Sequence, residues 1–186
     1  MKLIRALALL VLLGVAGALV YAFSGAYDVA AVPVERGLLE QQLARISDRS
    51  VERHAAGIQV PPLTDPAMVK LGAAHYRDMC VTCHGAPGVK ASEIGQGLNP
   101  KPPNLVHSAG DMAPNELYWV VKNGIKMTGM PAFGPTHDEH ELWSMVAFVE
   151  GLPKLSPEAY QAAVAEAGPA EAGPTAPGAP AAAPGH

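Results

Sequence analysis

Residues 6–23 read ALALLVLLGVAGALVYAF, eighteen apolar residues in a row, and no other feature restricts the rest of the chain so strongly. At 1.5 Å per residue the run makes a helix of about 27 Å, close to the hydrocarbon thickness of a bilayer. Lys2 and Arg5 precede it, so the positive charges stay in the cytoplasm and everything after Tyr27 lies across the membrane. The reading adopted is a retained single-pass anchor over residues 1–26 in the cytoplasmic membrane, with the body of the chain on its outer, periplasmic side. The alternative is a leader cleaved near Ser24-Gly25-Ala26, leaving a soluble periplasmic protein. Either way the run contributes nothing to a globular core. The Ala/Pro/Gly-rich end from Gly168 contributes nothing either, so although 49% of the 186 residues are hydrophobic, roughly residues 60–155 are left to fold.

A domain of that length buries a modest core and gains from a bound prosthetic group. Aromatics at 5%, with 19 Gly and 18 Pro, argue against a packed β-sandwich. A net charge of −4 and the lack of a P-loop argue against nucleic acid and nucleotide phosphates as partners. Helical periodicity with its punctuation recurs three times. Asp65-Pro66 starts a helix whose Val69, Gly72, Ala73 and Tyr76 share one face and which delivers Cys80 at its end. Pro114–Asn123 is the second, with Leu117, Val120 and Val121 inward and Gly124 as its stop. Thr136 and Glu139 form a capping-box pattern for the third, which buries Leu142, Met145, Val146 and Val149 and ends at Gly151 and Pro153. No segment alternates as a strand would, so the expected class is all-α with irregular loops.

Upstream, residues 33–56 show Leu39, Leu43 and Ile46 at helical spacing and Arg45, Arg49 and Arg53 on another side. This predicts a solvated amphipathic helix whose Arg45 and Arg49 pair with Asp48 and Glu52, ending before Pro61-Pro62. The expected layout is therefore an anchor (1–26), a helix and linker (27–62), a folded domain (63–156) and a disordered tail (157–186).

The only cysteines, Cys80 and Cys83, stand in CVTCH at residues 80–84. Cys-x-x-Cys-His is the attachment pattern of a c-type haem. Two thiols three residues apart on one helical turn can form thioethers along one porphyrin edge, and the adjacent His84 is then the proximal iron ligand. A structural zinc site lacks a second ligand pair, since His107, His137 and His140 have no finger-like spacing. A thioredoxin-type pair lacks its βαβ context. For the sixth iron position Met130, in Gly129-Met130-Pro131, is preferred, with Met127 as the rival. A neutral thioether favours ferrous iron relative to a second imidazole. His107 reads as a loop residue, and His137 and His140 as solvated. A copper(I) pair at Met127 and Met130 leaves CVTCH unexplained.

CVTCH, the PPNL of residues 102–105, the GMPAFG of residues 129–134 and the closing ELWSMVAFVEGLP together resemble a class I monohaem cytochrome c in a membrane-anchored form. The resemblance covers about residues 65–155. It implies the cytochrome c fold, a small helical domain around one covalent haem c, here behind a single transmembrane helix. It further implies a crossing of first and last helices with Gly72 and Tyr76 against Leu142 and Trp143. It also implies a Pro103 carbonyl accepting the Nδ1 proton of His84, and Leu105 packed on the haem.

With His84 and Met130 both on iron there is no open site, so the expected function is outer-sphere electron transfer. The protein would be a carrier rather than an enzyme, alone or as the haem subunit of a respiratory or oxidising complex. Redox partners would dock on Lys90, Lys101, Lys122 and Lys126, against an acidic last helix with Asp138, Glu139, Glu141 and Glu150. The competing reading is a haem peroxidase or gas sensor whose Met130 leaves the iron; it needs a polar distal set drawn from His107, His137 and His140.

Overall fold

The computed structural model describes residues 1–32 and 37–169, without the side chain of Leu39, as two compact units, Met1–Val32 and Pro33–His186. In the first, α1 runs Lys2–Phe23 with a mean hydropathy of 2.5 over its most apolar window and no buried residue. It is long and apolar enough to cross a membrane.

All regular elements described in the second unit are helical, with one isolated bridge between Ala86 and Val89. The helix α3 (Pro66–His75) is capped by Asp65, whose side chain accepts from the Ala67 amide at 2.9 Å, with Pro66 at the first helical position. It widens into a π turn over Tyr76–Cys80 and resumes as α4 (Val81–His84). The buried Tyr76 hydroxyl donates to the Gly85 carbonyl at 2.6 Å, clamping the π turn to the end of α4. Two short helices follow, α5 (Glu93–Gln96) and α6 (Leu105–Ser108), then α7 (Pro114–Asn123) and α8 (Glu139–Gly151).

The core centres on α8, buried continuously from Glu141 to Val149. It crosses α3 at Gly72, where a Cβ would overlap the Ser144 carbonyl oxygen and approach Phe148 Cβ at 2.9 Å. The resemblance placed Leu142 and Trp143 opposite Gly72 and Tyr76. Instead Gly72 meets Ser144 and Phe148, and the Tyr76 ring packs on Phe148 with centroids 5.4 Å apart. Trp143 turns the other way and stacks on Tyr118 at 4.1 Å, while Leu142 is buried in the same core. The cap of α8 also differs from expectation. Asp138 Oδ1 accepts from the Glu141 amide at 2.9 Å and Glu141 Oε2 accepts from the Asp138 amide at 2.8 Å. Thr136 is occupied elsewhere, its hydroxyl 3.2 Å from the Phe133 carbonyl.

Two further expectations are corrected. The segment read as tail forms α9 (Pro157–Glu166), capped by Ser156, with Tyr160 and Val164 buried in the core. Tyr160 meets Tyr76 and Phe148 at 6.3 Å, and Arg77 donates to the Val164 carbonyl at 2.9 Å. The remainder of the predicted disordered tail, from residue 170, lies outside the described residues. The helix expected within residues 33–56 is present as α2 (Leu38–Ala55), but it is not solvated all round: it packs against α7. Val51 and Ala55 are buried and Ser47 is half-buried, whereas Leu43 and Ile46 are exposed and the Leu39 side chain lies outside the described residues. Of the expected ion pairs, Arg49–Glu52 forms at 3.2 Å on the open side.

Candidate functional site

The π turn and α4 bring Cys80, Cys83 and His84 onto one wall of a cavity of about 430 Å³. Behind α4, α5 comes so close that a Cβ on Gly95 would sit 2.8 Å from Cys83 Cα, which fixes the backbone of the cysteine turn. The opposite walls come from Leu98, Pro103 and Leu105, from Leu117, Val120 and Val121 of α7, from Met130 and Phe133, and from Met145, Val146 and Val149 of α8. The cavity is thus lined almost wholly by apolar side chains, and two thiols and one imidazole converge on it.

His84 is held in a defined state. Its Nδ1 lies 2.8 Å from the Pro103 carbonyl oxygen, which can only accept, so Nδ1 carries the proton and Nε2 keeps its lone pair. Burial lowers the imidazole pKa, opposed by the Pro103 bond, so the ring is neutral at pH 7. Burial pushes the Cys80 thiol up to about 12, with Cys83 adding to the shift. A thiol held protonated in this way is a poor redox or nucleophilic centre, which weighs against the dithiol reading.

Met130 and Met127 are sharply separated. Met130 is half-buried and lines the cavity; Met127 has a positive φ of 63° and is 90% exposed. Bonds inside the loop orient Met130: its amide donates to Thr128 Oγ1 at 3.1 Å, Thr128 Oγ1 donates to the Ile125 carbonyl at 2.7 Å, and its own carbonyl accepts from the Ile125 amide at 3.2 Å. Gly124 allows this, with φ 64° and ψ −173° and a position at which a Cβ would lie 2.7 Å from the Met130 oxygen.

The other candidates fall outside. His107 and His140 are exposed, as expected. His137 is half-buried rather than solvated, edge-on to Phe133 at 5.6 Å and to His75 at 5.2 Å. Lys90, Lys101, Lys122 and Lys126 are exposed, and Lys101 lies at the cavity. Glu141 is buried in the α8 cap, so it is not part of an acidic surface. Sequence reasoning missed His75, which is 3% exposed with Nε2 3.8 Å from Glu141 Oε1. Its pKa is lowered by burial and by His137, against the opposing pull of Glu141, Asp78 and Asp138. The signal was its place beside Tyr76 on the buried face of α3.

The donor set suits a flat apolar macrocycle attached through two thioethers and ligated by imidazole. Residues 67–149 match the family described as cytochrome c oxidase, cbb3-type, subunit III. A quinohemoprotein alcohol dehydrogenase of Comamonas testosteroni is 33% identical over 87 residues, or 47% of this chain and 11% of that protein. The chain thus spans a small fraction of that relative's length.

Proposed function

With residues 67–149 forming a cytochrome c domain that carries covalently bound haem c, we propose that the chain is a single-electron carrier on the outer face of the cytoplasmic membrane. In this reading Cys80 and Cys83 would hold the haem by thioethers, and His84 and Met130 would ligate its iron. The haem supplies a one-electron ferric/ferrous couple. The chain's own residues keep that couple simple. Burial keeps His84 neutral, the Pro103 carbonyl accepts its Nδ1 proton so that Nε2 is available, and the Thr128–Ile125 bonds hold Met130 in its loop. The apolar walls from α7 and α8 keep water away.

The observation that carries the reading is that His84 and Met130, the expected pair, both line the cavity shared by the two cysteines. It favours a carrier over a peroxidase or sensor. Among the described residues lining the cavity, His84 is the sole histidine and there is no arginine to form a polar distal set. The span of α1 supports a membrane anchor, and the relative's name suggests service as the haem domain of a larger oxidoreductase. Docking through Lys90, Lys101, Lys122 and Lys126 predicts electron-transfer rates that fall with ionic strength; rates independent of salt contradict it.

The reading is tested with carbon monoxide. The reduced wild-type protein should show no spectral change, and Met130→Ala should bind the gas and have a lower reduction potential. Binding by the wild type would overturn the carrier assignment in favour of the sensor.

A further inference from the structure

The helix α2 lies outside residues 67–149, the part matched by the family, yet it reaches the cavity: Ser47, Asp48 and Val51 are among the lining residues. It is not a loose spacer. Val51 is 4% and Ala55 0% exposed, and the C-terminal turn is fastened to α7 in two ways. Asn115 Nδ2 donates to the Ala55 carbonyl at 2.9 Å. The His54 ring stacks on Trp119 with centroids 5.6 Å apart, while His54 Nδ1 sits 2.7 Å from the Ser50 carbonyl. Helix, latch and wall thus form one construction, with an apolar side chain facing inward at Val51 and a carboxylate at the exposed Asp48.

We propose that α2 is a wall of the haem cleft that sets the domain's reduction potential, with Val51 raising it and Asp48 lowering it. The inference rests on the reading that this cavity holds the haem. The ferric state carries one more positive charge than the ferrous. Surroundings freed of water disfavour that charge, so Val51 shifts the balance toward ferrous iron. A carboxylate nearby favours it, so Asp48 shifts the balance back. The two effects have opposite signs on one helix, which separates positioning from a general contribution to stability.

The test is a redox titration of the full chain matured with haem, in the wild type and in Val51→Ala, Asp48→Asn and Ala55→Glu. At a fixed ambient potential Val51→Ala should shift the ferrous-to-ferric ratio toward ferric about threefold to tenfold, tenfold corresponding to ~59 mV for one electron. Asp48→Asn should shift it toward ferrous by less, and the shift should shrink as salt is added. Ala55→Glu drives a charged side chain into the α2–α7 contact; it should exceed Val51→Ala and abolish the Asp48→Asn effect in the double variant. Should Ala55→Glu not fold, the opposite signs of the other two decide. Wild-type potentials in both, or shifts in the same direction, overturn the proposal while leaving the haem site intact. A wild-type chain without covalent haem overturns the reading of the cavity itself.

Discussion

The two faces of α8 are built on different terms. Toward α3 and α9 the domain is closed by its own side chains: Gly72 against Ser144, and Tyr76, Phe148 and Tyr160 ring against ring. Toward α7 and the Met130 loop, the same helix lends Met145, Val146 and Val149 to a cavity of about 430 Å³. A domain of this size is too small for two complete cores, and protein interiors are close-packed, so in the proposed reading the second half is completed by the covalent haem. The α3–α8 half should therefore hold helical structure on its own, and the α7 half should depend on maturation.

The largest effect tests that division directly. Cys80→Ala with Cys83→Ala, which removes both proposed attachment points, should abolish amide-exchange protection in α6, α7 and residues 124–130 while α3 and α8 keep part of theirs. Equal protection in both halves would break the comparison. On the other face, Gly72→Val forces side-chain atoms against the Ser144 carbonyl and should cost more than ~3 kcal/mol in urea unfolding, above the usual price of overpacking. Loss of under ~1 kcal/mol would show that the crossing has slack.

Gly124→Ala should cost about 1–3 kcal/mol for its backbone conformation. It should also displace Met130, seen as partial carbon monoxide binding in an otherwise folded protein, whereas a variant that only loses stability would leave the ligand in place. Asp138→Ala, on the close-packed side, should cost ~1 kcal/mol through loss of the α8 cap and leave the visible spectrum unchanged.

The smallest effect concerns pH. His75 has a pKa lowered from 6.5, so the unfolded chain takes up its proton first as the solution is acidified. Stability from this group is complete above about pH 6.5 and declines as pH falls below it. In His75→Phe that portion of the pH dependence should flatten, as read from unfolding midpoints between pH 7 and 5. An unchanged slope would assign the dependence to other groups.

Much of this was legible in the sequence because the signals are local. CVTCH, the Met130 loop, the Asp65-Pro66 start of α3 and the whole of α7 each lie within about ten residues, and each appears where the spacing placed it. The misses have physical reasons. In α2 the leucines and Ile46 dominate the pattern, but the face that packs is Ser47, Val51 and Ala55, small residues whose fit depends on Trp119 and Asn115 some sixty positions on. In α9 only Tyr160 and Val164 stand out among alanines, and their value comes from Tyr76 and Phe148. Before α8 two overlapping patterns, Thr136 with Glu139 and Asp138 with Glu141, compete as caps. The contest is decided by the Phe133 turn, which engages Thr136.

The account stands most directly on the intact mass of the chain after maturation in a host able to attach c-type haem, measured under unfolding conditions. It predicts the polypeptide plus one haem, a mass that persists in denaturant and disappears in the double cysteine variant. A mass equal to bare polypeptide, or a haem released on unfolding, would contradict it.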